Sequence, residues 1–332
     1  MIAMLLLLVS SSLAASTQKG CTAVTRDRCG VDWSNSCLKC GTSSSSFDCE
    51  ECCTGCTRVV KGTYRYCDCK KKPPGPSPPP GHDTWDNYEV AGLDVISVTG
   101  GRNHTAHEAA VIMLHGGGGS GRDWEYQYNA HWFGNLTGLK YVFPTSHFPS
   151  HVWFQTYKNG CGLSDDCAYN TSSIQESASR VAALVRHEAA LLGGDHSKVF
   201  LAGFSEGAQL AGYVQLAALD VALGGTVVMD GFPLPPLFDW HDGSAASYAG
   251  RDMRWMLWHG EADPIFPCQL TLSAWERILD ALGVRDDVLQ VEHAEPGMTH
   301  TLIKPELERM VRFVRARVHT SGGRGGAPTK AV

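Results

Sequence analysis

Ten of the chain's 13 cysteines fall between Cys21 and Cys69, and only three follow in the rest of its 332 residues. A single packed core does not concentrate cysteine in this way, so a small cysteine-dense module is expected ahead of a large, cysteine-poor domain. The spacing is C-x7-C-x7-C-x2-C-x8-C-x2-C-C-x2-C-x10-C-x-C. The count is even, and about 49 residues are too few for a large core. Disulfides would supply the missing stability by restricting the unfolded chain, although their connectivity does not follow from sequence. Cys37-x2-Cys40, Cys49-x2-Cys52 and Cys53-x2-Cys56 also have the spacing of zinc-ligand pairs. The connection between the first two pairs is short, however, and no histidine lies among these cysteines. The reading is therefore a disulfide-rich module. Its aromatic residues Trp33, Phe47, Tyr64 and Tyr66 either bind a surface or pack its small interior.

Cysteine-dense modules belong to oxidising compartments, and other features agree. Residues 1–15 (MIAMLLLLVSSSLAA) combine an apolar run with small residues at a cleavage-like site, the pattern of a secretory signal peptide. The run is too short to span a membrane, which takes about 20 apolar residues, and no other segment reaches that length. Asn103, Asn135 and Asn170 each head a glycosylation sequon. A secreted, extracellular glycoprotein without a transmembrane segment is expected. Residues 16–69 form the module, and residues 70–83 (KKKPPGPSPPPGHD) a semi-rigid proline-rich linker. Residues 84–319 form the large domain, and residues 320–332 a Gly-rich tail. A net charge of −6 without a basic block argues against a nucleic-acid partner, and 43% hydrophobic residues against wholesale disorder.

In the large domain short apolar strands are expected at 111–114, 141–143, 199–202, 227–229, 255–258 and 288–291. Helices are expected at 174–192, where Ile174, Ala178, Val181, Val185 and Leu192 share one face, at about 206–219, and from Pro305 onwards. This alternation implies a mostly parallel sheet with helices on both faces.

Four motifs follow these strands, where open α/β sheets place their sites. Gly203-Phe204-Ser205-Glu206-Gly207 stands between strand and helix, the context of a nucleophile elbow. His115-Gly-Gly-Gly-Gly-Ser-Gly-Arg-Asp-Trp124 is a glycine-rich loop whose main-chain N–H groups suit an oxyanion. It lacks the Lys-Ser/Thr ending of a phosphate-binding loop, and His115 is expected to support it. Trp258-His-Gly-Glu-Ala-Asp263-Pro carries a carboxylate that can orient an imidazolium, and Pro296-Gly-Met-Thr-His300 a loop histidine. The order Ser205, Asp263, His300 is that of the α/β-hydrolases.

The motifs LHGGGGSGRDW, GFSEGAQLA, WHGEADPIFP and GMTHT, with the Trp153-Phe154 pair, resemble the phospholipase/carboxylesterase family that includes acyl-protein thioesterases. The resemblance covers most of residues 109–318 and implies an α/β-hydrolase fold. It implies Ser205 as nucleophile, His300 as general acid/base and Asp263 as its orienting carboxylate, with an oxyanion hole from the N–H groups of Gly117 and Glu206. Two positions depart from the family. Glu206 replaces its glutamine, putting a negative charge near the oxyanion unless the side chain points away, and Gly119 replaces its loop aspartate. Cys161 and Cys167, in a stretch set apart from the family, are expected to pair, and Cys268 is left unassigned.

The expected activity is hydrolysis of a small-molecule or lipid ester, or a thioester, through an acyl-enzyme, with no metal or cofactor. Trp153, Phe232 and Leu234 are candidate substrate-binding residues. The loop carrying the last two, with Leu237 and Phe238, lines an acyl pocket or merely packs on the core. A competing reading is a secreted esterase that removes acyl groups from wall polysaccharide, its cysteine module binding glycan or a surface. A non-catalytic binding protein and a disulfide-rich signalling ligand fit an intact triad poorly.

Overall fold

A computed structural model describes residues 37–40, 49–52, 56–61, 64–69, 83–100, 107–133, 138–156, 169–237, 252–284, 289–293 and 297–321. The chain divides into two compact units, Met1–Ser77 and Pro78–Val332.

In the first unit two antiparallel hairpins are described. Strands β1 (Cys37–Cys40) and β2 (Cys49–Cys52) set Cys37 opposite Cys52 and Cys40 opposite Cys49. Strands β3 (Cys56–Lys61) and β4 (Tyr64–Cys69) set Cys56 opposite Cys69. The expected signal peptide, proline-rich linker, Cys161–Cys167 pair and sequons at Asn103 and Asn135 lie outside the described residues.

The second unit is built on one eight-stranded sheet in the order β12-β11-β10-β9-β7-β8-β6-β5. Its strands are β5 (Thr84–Val90), β6 (Leu93–Thr99), β7 (Ala109–Leu114), β8 (Leu139–Thr145), β9 (Val199–Phe204), β10 (Gly225–Met229), β11 (Trp255–His259) and β12 (Leu289–His293). From β8 to β12 all neighbours pair in parallel; β6 runs antiparallel to both β5 and β8.

Every residue of β7 is buried, as expected of a central parallel strand covered on both faces. Because side chains alternate along a strand, Ile112 and Leu114 enter one core and Val111 and Met113 the other. The first core is closed by α2 (Thr171–Leu191), α3 (Glu206–Tyr213) and α4 (Cys268–Ala281) through Ile174, Val181, Leu210 and Trp275. The second is closed by α1 (Gly121–Asn129) and α5 (Lys304–Ser321) through Trp124, Leu307, Met310 and Val314.

The expected parallel core and its helical faces are present, with three differences. The edge hairpin β5–β6 was not expected; β5 alternates weakly because much of it is exposed. Helices α1 and α4 also went unread. Helix α1 buries just Gly121, Trp124 and Tyr128, too sparse a stripe to signal a helix. The helix after Ser205 ends at Tyr213 and continues as a π-helical turn, Val214–Ala218. Among the described residues no helix is long and apolar enough to cross a membrane.

Candidate active site

The site lies where β7, β9, β10 and β11 end. Ser205 sits between β9 and α3 with φ 55° and ψ −122°, a conformation that costs an L-residue on the order of 1–3 kcal/mol. The turn is tight enough to exclude side chains on both sides. A Cβ on Gly203 would stand 2.3 Å from the main chain of Gly207, and one on Gly207 would stand 2.4 Å from the His115 carbonyl. The Ser205 N–H donates to the Met229 carbonyl at 2.9 Å, and its own carbonyl accepts from Ala208 and Gln209, starting α3.

Three elements far apart in sequence converge on the hydroxyl. His300 Nε2 lies 2.8 Å from Ser205 Oγ, and His300 Nδ1 lies 2.8 Å from Asp263 Oδ2. The other Asp263 oxygen accepts the N–H groups of Ile265 (2.7 Å) and Phe266 (3.0 Å), which fixes the carboxylate plane. Acceptance at Asp263 puts the neutral ring's proton on Nδ1, leaving Nε2 to accept the serine proton. The rings of Phe204 and Phe266 flank the imidazole, centroids at 5.1 and 5.5 Å.

The glycine-rich loop lies against Ser205: a Cβ on Gly116 would sit 3.4 Å from Ser205 Cβ. His115 braces it as expected. The Ser146 N–H donates to His115 Nε2 (3.1 Å), so the ring proton is on Nδ1, 2.8 Å from the Gly116 carbonyl. Burial lowers this imidazole to about 4, so it stays neutral. Gly119 has a structural reason. A Cβ there would stand 2.8 Å from Asp123 Oδ2, the carboxylate that accepts the Ser120 N–H and caps α1. An acidic group from α1 thus stands beside the position where the family carries its loop aspartate.

Trp153 and Leu234 are fully buried in the first core, and Phe232 packs with Phe266 and Ala274. The tryptophan acts as scaffold, its Nε1–H donating to the His115 carbonyl at 2.8 Å. The structure places these three candidates in the interior, not on an open surface. Asn170 caps α2, its Oδ1 accepting from the Ser173 N–H and its amide donating to Gln155.

Sequence reasoning missed a second tier behind Asp263. His259 Nε2 lies 2.6 Å from the Phe266 carbonyl and 3.3 Å from Asp263 Oδ2, while its Nδ1 is 3.7 Å from Asp230 Oδ1. Asp230 follows β10 with φ 51°, and its Oδ1 accepts the Gly260 N–H at 2.7 Å. Burial, then the Asp263 charge, pushes the Asp230 carboxyl up to about 7. Burial lowers His259 and holds the fully buried Glu306 carboxyl well above its ordinary range. Asp230, His259 and Asp263 bring ligand-type atoms within 4.8 Å of one another. His259 Nε2 is occupied by a carbonyl and Asp263 by His300, so the cluster is organised as a hydrogen-bonded support. The one available signal was position: Asp230 and His259 also stand at strand ends.

A match to the family described as Phospholipase/Carboxylesterase spans residues 100–318. Acyl-protein thioesterase 1 of Schizosaccharomyces pombe is 26% identical over 220 residues, covering 63% of this chain and 91% of that protein. Lysophospholipase-like protein 1 of Mus musculus is 29% identical over 241 residues, covering 68% and 91%. The crystal structure of Arabidopsis thaliana SOBER1 is similar with a TM-score of 0.50 at 21% identity, covering 63% of this chain and 99% of that one. A carboxylesterase from Mesorhizobium loti gives 0.51 at 14% identity, covering 70% and 98%. At such identities these structures speak for the fold. The family match, spanning most of the chain, speaks for descent: this chain belongs to the phospholipase/carboxylesterase family.

Proposed function

We propose that the protein hydrolyses carboxylic esters or thioesters through an acyl-enzyme on Ser205. The observation that carries this reading is one continuous chain of hydrogen bonds, Ser205 Oγ to His300 to Asp263, with both links at 2.8 Å. His300 Nε2 takes the hydroxyl proton as Ser205 attacks the carbonyl carbon. Asp263 steadies the imidazolium, which then protonates the leaving alcohol or thiol. Water repeats the sequence on the acyl-enzyme. The oxyanion is held by the N–H groups of Gly117 and Glu206. The latter opens α3, where helix geometry leaves N–H groups without intrahelical partners.

The substrate carries an apolar acyl chain. Support comes from the relatives' names, a thioesterase and a lysophospholipase-like protein. Support also comes from Ile265 and Leu270, two large apolar side chains about half exposed at and just after the acid loop. Export to an oxidising compartment is supported by the leader-like segment, the sequons and the clustered cysteines. The deciding experiment runs a chain-length series of p-nitrophenyl esters and lysophospholipids on wild type and Ser205→Ala, beside fluorophosphonate labelling. Turnover is expected to fall by at least about 10⁴-fold and labelling to vanish in the variant. Full activity in Ser205→Ala would overturn the reading.

A further inference from the structure

The residue after the nucleophile carries a carboxyl that the mechanism above does not use. Glu206 contributes a main-chain N–H to the proposed hole, yet its side chain does not turn to solvent. Oε2 accepts the Trp153 N–H at 2.9 Å. The same oxygen stands 3.0 Å from where a Cβ on Gly117 would be. The carboxyl is therefore hydrogen-bonded to the segment anchored by Trp153 and lies against the loop that supplies the other oxyanion donor. Trp153 in turn holds the His115 carbonyl, at the root of that loop.

An acidic group here is electrostatically awkward. The transition state gathers negative charge on an oxygen held between Gly117 and Glu206, beside a carboxyl that is itself partly buried and so only partly screened by water. A neutral carboxyl braces the loop without opposing that charge. A carboxylate in the same place braces the loop and raises the barrier. We propose that the Glu206 side chain is a positioning residue of the oxyanion loop whose protonation sets the rate, turnover being favoured while it holds its proton.

The surroundings suit this role. Burial pushes the Glu206 carboxyl up to about 7, the Trp153 amide only partly opposing it. The group is neutral below that value and charged above it, the sense the proposal requires. The titratable groups around it come from each neighbouring element. His115, behind the loop, is held neutral by burial. His151 faces His115 across the loop, ring centroids 6.5 Å apart. Tyr169 has its phenol raised by burial and, further down, by the Glu206 charge. Asp123 stands beside Gly119, and His300 lies beyond Ser205.

The proposal rests on the ester-hydrolase reading, and its test separates the two. The pH dependence of kcat/KM is measured on a p-nitrophenyl ester for wild type and Glu206→Gln, each profile normalised at pH 5.5. Glutamine keeps the acceptor for the Trp153 N–H and cannot ionise. The wild-type profile is expected to descend above pH 7, whereas Glu206→Gln holds a plateau. The normalised ratio should reach on the order of tenfold at pH 9, as a unit charge near the oxyanion implies. Superimposable profiles from two active proteins would overturn this proposal alone, and an inactive wild type would overturn the reading beneath it. A second measurement needs no substitution. A trifluoromethyl ketone forms a hemiketal oxyanion on Ser205 while the serine proton moves to His300, with no net proton change. A tenfold effect raises the carboxyl by about one pKa unit on oxyanion formation, so calorimetry at pH 8 in buffers of different ionisation enthalpy should report uptake of roughly 0.4 proton, which goes to Glu206. No uptake would contradict the proposal even if the glutamine variant fails to fold.

Discussion

At the scale of single residues, two of the backbone positions held in the left-handed region stand at the candidate site. Ser205 and Asp230 both adopt positive φ as non-glycine residues, one at the turn from strand to helix and the other tying down the loop that carries Asp263. Neither conformation persists without surrounding structure to hold it. The role proposed for Asp263 is equally local: it fixes which imidazole nitrogen carries the proton. Asp263→Asn is expected to keep the fold and lower kcat by on the order of 10⁴, with KM changed far less, because the amide favours the wrong tautomer. Steady-state kinetics beside thermal unfolding would check this, and a loss below tenfold would deny Asp263 its role. Ser205, Asp263 and His300 were legible because each sits in a short motif directly after a strand. Asp230 and Glu306 were not, because a lone acidic residue after a strand or early in a helix has no signature until burial gives it one.

At the scale of elements, the edge of the sheet is secured by a polar junction. Lys140 on β8 donates to both oxygens of Glu188 on α2, at 3.0 and 2.8 Å, and the Tyr88 hydroxyl on β5 donates to the same carboxylate at 2.6 Å. Burial and the Glu188 charge push that phenol up, so it remains a neutral donor. Three elements separated by up to a hundred positions thus share one fully buried carboxylate. Replacing one partner of a buried pair strands the other, at about 3–5 kcal/mol. Lys140→Met is accordingly expected to lower the melting temperature by roughly 10 °C, read by circular dichroism. Adding Glu188→Leu should restore part of it, and a single variant within about 1 °C of wild type would contradict the account. Helix α2 was readable from its apolar stripe, which serves local packing. The junction was not, because its members are ordinary polar and charged residues that only the sheet order brings together.

At the scale of the whole molecule, the second unit buries Asp230 and Glu306 and half-buries Glu206, which holds each carboxyl above its ordinary range. A raised carboxyl contributes stability that is complete below its unfolded pKa and lost as pH rises through the folded one. For Asp230 the window runs from 3.8 to about 7. Asp230→Asn keeps an oxygen for the Gly260 N–H and cannot ionise. Its stability relative to wild type is expected to rise by on the order of 2 kcal/mol between pH 5 and pH 8, seen by scanning calorimetry as several degrees. A difference that stays constant with pH would remove the charge penalty from the account. The sequence by itself determined the parallel α/β character, the G-x-S-x-G motif between strand and helix, and the order in which Ser205, Asp263 and His300 follow their strands. All of these are recorded in spacing along the chain, which hydrophobic periodicity and turn chemistry make visible. Only the tertiary structure decided that Glu206 faces the glycine-rich loop, that Trp153 and Leu234 belong to the core, and that Asp230 and His259 stand behind Asp263. Those facts depend on which strands are neighbours and how far water is excluded. Both are properties of the packed sheet, which no local stretch of sequence carries.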